Sequence, residues 1–190
     1  MRTLDHHELA ASADLAVARG HVASCRATAV AGTQSEVLAF IDAHADALLR
    51  TCARGHLTGS AFVYDASSDR FLMLHHTKLR KWLQPGGHAD GDANLAAVAL
   101  REATEETGVS GLTVAVPAID IDIHLVEPPN EVPHLHLDVR FLVLAPPHGV
   151  VHGNHESTAV RWCSVEDLDE LDADESVHRL VAAGRDAASL

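Results

Sequence analysis

Residues 82–109 read WLQPGGHADGDANLAAVALREATEETGV. The stretch opens on the glycine turn Pro85-Gly86-Gly87, crosses a short acidic loop, and enters a helix that Gly108 stops. At about 100° per residue, Glu102, Glu105 and Glu106 fall on one helical face. Carboxylates this close repel one another, because like charges at i,i+4 destabilise a helix. A divalent cation relieves that repulsion, and hard ions such as Mg²⁺ take oxygen ligands. Three glutamates alone also suit a solvated charged face. The residues around them decide between the two.

In its fixed positions the segment resembles the Nudix box, G-x5-E-x7-R-E-U-x-E-E-x-G-U, with U a small or aliphatic apolar residue. Gly87 opens it, Arg101-Glu102 follow at the required distance, and Ala103 takes the first U. Glu105-Glu106, Gly108 and Val109 close it, and Ala93 stands where the pattern has its first glutamate. The resemblance implies an α/β (α+β) fold, the Nudix α/β/α sandwich with a mixed β-sheet. It also implies hydrolysis of a nucleoside diphosphate linked to another moiety, with Mg²⁺ or Mn²⁺. Carried over by position, Glu102, Glu105 and Glu106 hold the metal, with a carbonyl from Gly87. Alternatively, one of Glu105 and Glu106 deprotonates the attacking water. Arg101 pairs with a glutamate and fixes its rotamer. In the family a loop glutamate beyond the box often adds a ligand or a base, and Glu156, in the loop 148–157, is best placed by chain order. Ala93 bears on rate and helix anchoring more than on metal binding, and Asp92 or Asn94 is a natural N-cap. Two function classes remain: a metal-dependent diphosphohydrolase for a nucleotide or nucleotide-sugar, and a catalytically weak Nudix domain that binds a nucleotide as a sensor. The intact glutamates favour the first.

At 190 residues the chain suits one domain plus an extension. Aromatics make up only 4%, so the core is mostly aliphatic. A formal charge of −13 argues against a nucleic-acid duplex, where affinity comes from cations on phosphate. It leaves open a small phosphorylated substrate, because a metal held by glutamates inverts the local field. Cys25, Cys52 and Cys163 show neither disulfide-framework nor zinc-knuckle spacing. The N-terminus MRTLDHHELA lacks the apolar run of a signal peptide, and no stretch approaches the ~18 apolar residues of a membrane span. These features point to a cytoplasmic protein without a membrane partner.

Residues 1–55 read as a helical extension that packs on the core, forms a homodimer surface or shapes the cleft, and residues 56–190 as the Nudix domain. Apolar spacing predicts a helix over residues 3–19, ended by Gly20. A second runs from a Thr33–Glu36 capping box to Arg50. Residues 61–64 and 71–74 read as strands around a turn. Lys78, Arg80 and Lys81 form a basic cluster before Trp82; a solvated loop and phosphate contact fit it equally, and Trp82 is a plausible base platform. After the box come a short strand, 112–116, and a hairpin. Its arms alternate Ile119, Ile121, Ile123 and Leu125 with Asp120, Asp122 and His124, then Leu135, Leu137 and Val139 with His134, His136 and Asp138. A symmetric loop sets Asp122 opposite His136, Asp120 opposite Asp138, and His124 opposite His134. The polar face is either a water-facing side or a cleft wall where His134, His136 and Asp138 touch substrate or a second metal. Imidazole suits zinc or manganese better than magnesium. A strand at 159–162, a Ser164–Asp167 cap and a helix over 174–187 complete the chain.

Overall fold

The computed structural model describes residues 1–127, 132–155 and 157–189. The elements in order are β1 (Arg2–Leu4), α1 (Leu15–Ser24), a 3-10 turn (Thr28–Val30), α2 (Ala31–Ala43), β2 (Gly55–Asp65), β3 (Arg70–His76), β4 (Trp82–Leu83), β5 (Gly86–His88), α3 (Leu95–Thr107), β6 (Thr113–Val126), β7 (His134–Leu144), β8 (Ser157–Cys163), a 3-10 turn (Val165–Asp167) and α4 (Glu175–Ala188). They build one mixed sheet in the order β1-β6-β7-β2-β3-β4, with β5 also on β2 and β8 also on β3. Only β2 and β7 pair in parallel among these strands. Helices lie on both faces, so the α/β sandwich with a mixed sheet expected from the box is the fold observed.

Strand β2 is buried along its whole length and divides the core. Its odd positions Leu57, Ala61 and Val63 share one cluster with Leu95, Ala96, Ala99 and Ala103 of α3. Phe62 and Tyr64 point the other way, into a cluster with Leu180 and Val181 of α4. Alternation along an extended chain produces this split. Each fully buried aliphatic side chain adds roughly 1.5–3 kcal/mol, so the two layers together carry most of the stability.

The N-terminal region departs from the helix expected over residues 3–19. Residues 2–4 pair with β6 instead, and α1 starts only at Leu15, where the Asp14 carboxylate accepts the Ala16 N–H at 2.9 Å. Gly20 lies inside this helix rather than ending it. Thr33 does not cap α2 either: the helix begins at Ala31, after the 3-10 turn, and stops at Ala43. Ala18, Val22, Val37 and Ile41 share the cluster that buries α3.

One part of this packing closes over the box. The Ala93 side chain is fully buried and its N–H donates to the Ser12 carbonyl. The Asp92 carboxylate accepts the Ser12 N–H at 3.0 Å, and Asn94 donates to the Ala10 carbonyl at 2.9 Å. The first glutamate of the pattern would therefore lie under this segment as a buried charge. Ala93→Glu is expected to destabilise the protein by about 3 kcal/mol or more, lowering Tm by roughly 6–12 °C. Thermal unfolding followed by circular dichroism reads this directly, and an unchanged Tm would contradict the packing.

Candidate active site

Helix α3 begins at Asn94, whose side chain accepts the Ala97 N–H at 3.3 Å, and ends at Gly108 with φ of 67°, a left-handed cap that favours glycine. Between these caps, Glu102 and Glu106 turn toward the glycine turn carried by β5. Pairing sets Gly86 opposite Ser60, Gly87 opposite Gly59 and His88 opposite Thr58. The Gly87 position thus faces α3 and His88 faces the opposite side of the sheet. A Cβ added at Gly87 would lie 2.5 Å from Glu102 Cδ and 2.6 Å from its Oε2. The carboxylate occupies the space a side chain would fill.

Glu106 is 6% exposed, and its Oε2 accepts the Gly86 N–H at 2.9 Å. Arg101 Nη2 donates to Glu102 Oε1 at 3.0 Å, the pairing expected for it. Glu105 is exposed. The three carboxylates line one helical face, as their spacing predicts, but they do not converge on a point. Among the described residues, three ligand atoms within 4.8 Å of one another come instead from His56, His134 and His136.

Those histidines lie across the sheet from α3. β6 and β7 form the expected hairpin, but its register is displaced by two residues: Asp120 pairs with Arg140, Asp122 with Asp138, and His124 with His136. The even step preserves which residues share a face. That face is not turned to water. Asp120 is fully buried, and Asp138 and Arg140 are each 2% exposed. Asp138 Oδ1 accepts Thr58 Oγ1 and Ser60 Oγ, each at 2.8 Å, and its Oδ2 accepts Arg140 Nε at 2.8 Å. Asp138, expected at substrate, is thus enclosed by protein donors. Arg140 also reaches Asp120 and Asp122, while Arg179 from α4 binds both of them. Burial opposes ionisation of Asp122 and Asp138, but the His124 hydrogen bond, Arg140 and Arg179 at Asp122, and Arg140 at Asp138, prevail and hold both carboxyls below the usual range. Arg140, whose charge burial disfavours, is held protonated by Asp138 and Asp122.

His134 and His136 do not meet the glutamates; they meet His56 from β2 and His88 from β5, two histidines the sequence reading missed. Their signal was present: His56, Thr58 and Ser60 alternate with Leu57, Gly59 and Ala61. Burial, then the charge of neighbouring Arg50, lowers the His88 pKa to about 4. Burial, then His88, lowers that of His136 to about 3. Lys78, Arg80 and Lys81 are exposed in the turn after β3, where Trp82 is half-buried with its ring edge-on to His75 at 5.4 Å. Trp82 packs with the α4-side cluster. Glu156 lies outside the described residues, as does most of the turn 127–131.

The glycine turn, the capped helix and its anchored glutamates invite comparison with known proteins. The family model described as "NUDIX domain" matches residues 56–183. The chain belongs to the NUDIX family. Phosphatase NudJ of Escherichia coli (strain K12) is 29% identical over 119 residues, covering 60% of this chain and 71% of that protein. A NUDIX-family hydrolase from Clostridium perfringens superposes with a TM-score of 0.53 at 26% identity, covering 68% of this chain and 94% of that one. The binary complex of a C. elegans Ap4A hydrolase superposes at 0.57 and 19% identity, covering 70% and 97%, a likeness of fold alone. The protein is therefore a Nudix hydrolase. Among its described residues no helix is long and apolar enough to cross a membrane.

The buried network and the buried histidines yield separate expectations. Arg140→Met leaves buried Asp138 without a cation, and Asp120 and Asp122 with Arg179 only, and should cost about 3–5 kcal/mol in urea unfolding; a loss below about 1 kcal/mol would mean that Arg179 alone neutralises the cluster. His88 and His136 titrate below imidazole's ordinary 6.5, so the unfolded chain takes up protons first as pH falls. In chelator-treated protein, stability should be flat above about pH 6.5 and fall by about 1–2 kcal/mol toward pH 4.5, after allowance for solvent screening. His136→Gln should flatten that slope, as seen in unfolding midpoints across the range.

Proposed function

We propose that this Nudix hydrolase cleaves a phosphoanhydride in a nucleoside diphosphate linked to another moiety, a nucleotide or nucleotide-sugar, with Mg²⁺ or Mn²⁺. The observation that supports this is the close approach of Glu102 to Gly87, beside Glu106 anchored on the Gly86 N–H. A turn without side chains lets the Glu102 and Glu106 carboxylates come up against its backbone, and carboxylate and carbonyl oxygens are the donors that hard cations take. Glu102, Glu105 and Glu106, with the Gly87 carbonyl, are the residues that would hold it. When bound, the cation supplies charge neutralisation at the phosphates and makes water a better nucleophile.

Within this reading each residue has a task. Arg101 holds the Glu102 rotamer through its 3.0 Å bond. Glu106 ties helix to turn. Glu105, the exposed member, takes the proton from the attacking water. Lys78, Arg80 and Lys81 contact phosphate from the neighbouring turn. The sensor alternative draws on a different observation, the separation of the three carboxylates, since a binder needs no converged ligand set.

Phosphate release from a nucleotide panel, with Mg²⁺ and with Mn²⁺, separates the two. Turnover is expected, and Glu105→Gln should lower kcat by about 10²–10⁴-fold while the fold is retained by circular dichroism. Glu102→Gln should raise the metal concentration needed for half-maximal rate. No turnover on any substrate, together with nucleotide binding, would establish the sensor instead.

A further inference from the structure

Four histidines from three strands gather on the face of the sheet away from α3. The ring centroids of His56, His88 and His136 form a near-equilateral triangle with sides of 4.9, 4.9 and 5.0 Å. His134 joins it, 4.9 Å from His56 and 5.5 Å from His136. The rings are tilted or edge-on, with interplanar angles of 36° to 90°. A histidine used for packing looks different here: His44 stacks on Phe40 at 15° and 4.1 Å.

The nitrogens converge. One ligand atom each from His56, His134 and His136 lies within 4.8 Å of the others, and His88 Nε2 stands 3.2 Å from His136 Nε2. Two imidazoles on a tetrahedral zinc ion, each bonded at about 2.0–2.1 Å, place their nitrogens about 3.3–3.4 Å apart. The observed pair, itself in hydrogen-bond contact, is at that spacing, and the His56, His134 and His136 nitrogens, within 4.8 Å of one another, would close by about 1.5 Å or less on binding.

The surroundings orient the ring donors. His134 Nδ1 lies 2.8 Å from the Val132 carbonyl, which can only accept, so Nδ1 carries the proton and Nε2 keeps its lone pair. At the rim, His124 Nδ1 lies 3.0 Å from the Asp122 carboxylate, with its ring 5.4 Å from that of His136. Carbonyl and carboxylate partners of this kind set the tautomer of metal-binding histidines. Burial grades outward, from His56 at 2% exposed to His124, whose side chain is 42% exposed, leaving an entry side.

We propose that His56, His134 and His136, with His88 as the fourth imidazole, form a binding site for Zn²⁺, separate from the glutamate site. Nitrogen donors of intermediate softness select zinc over magnesium. The ion would clamp β5 to β2 and β7, and β5 is the strand that carries Gly86 and Gly87 on its other side.

The test uses the tag-free full chain, stripped with chelator and equilibrated with Zn²⁺ alone, with bound metal counted by mass spectrometry. One zinc per chain is expected, in native protein and equally in Glu102→Gln/Glu106→Gln. His134→Ala and His136→Ala should each weaken binding by about tenfold or more, and Co²⁺ in place of zinc should show the visible bands of a tetrahedral site, lost in both variants. Should His136→Ala unfold, the half-exposed His134→Ala and the native cobalt spectrum still decide. The site is overturned if native protein takes up no zinc, if the histidine variants bind it undiminished, or if the glutamate variant loses it.

Discussion

The structure depends on the parallel pairing of β2 with β7, locked by the buried Asp138 carboxylate. Asp138 receives two hydroxyls from β2, Thr58 and Ser60, and one guanidinium from its own strand, Arg140. Parallel strands from distant parts of the chain have no tight turn to set their register. Here polar groups set it: a slip of one residue would strand Asp138 without donors and turn Leu57 and Val139 out of their core. Everything functional follows from that register, because it decides which residues look toward α3 and which look away.

Ala93 illustrates how the N-terminal residues enter the same frame. The segment around Ser12 reaches the start of α3 with three backbone-involving bonds, and α1 and α2 fill the cluster under that helix. A glutamate at position 93 and this covering segment compete for one volume. An alanine accepts the cover. The start of α3 is then held by Asn94, with Asp92 engaged by the Ser12 and Asn94 N–H groups. In this chain the helix start is anchored by backbone contacts from outside the box.

What the sequence made legible was local. The box, its end at Gly108, an N-cap at Asp92 or Asn94 (Asn94 in the structure) and the pairing of Arg101 with a glutamate (Glu102) rest on contacts within one helix and the turn before it. The hairpin was legible from its alternation, and so was its shared polar face. The register was not, because it rested on an assumed symmetric loop, whereas long-range partners choose between even shifts. The polar face looked solvated for the same reason. Asp120, Asp122 and Asp138 are satisfied by Arg179 from α4 and by hydroxyls from β2, residues 57 to 80 positions away in the chain. His56 and His88 were hidden by their neighbours, the glycines that drew attention to the turn. The false helix over residues 3–19 arose because a short edge strand carries too few residues to show a period.

Adjacent residues of β5 look to opposite sides of the sheet, and this gives two donor sets different chemistry a single strand apart. Gly87 faces glutamate oxygens; His88 faces imidazole nitrogens. Hard cations prefer the first set and zinc the second. A chain with a formal charge of −13 attracts cations of every kind, so charge alone cannot sort them. Donor type can. The sheet also stands between the sets, with Leu57 and Leu137 buried on its α3 side. Crosstalk would run through the backbone of β5, whose Gly86 N–H holds Glu106 while the next-but-one side chain, His88, sits among the imidazoles.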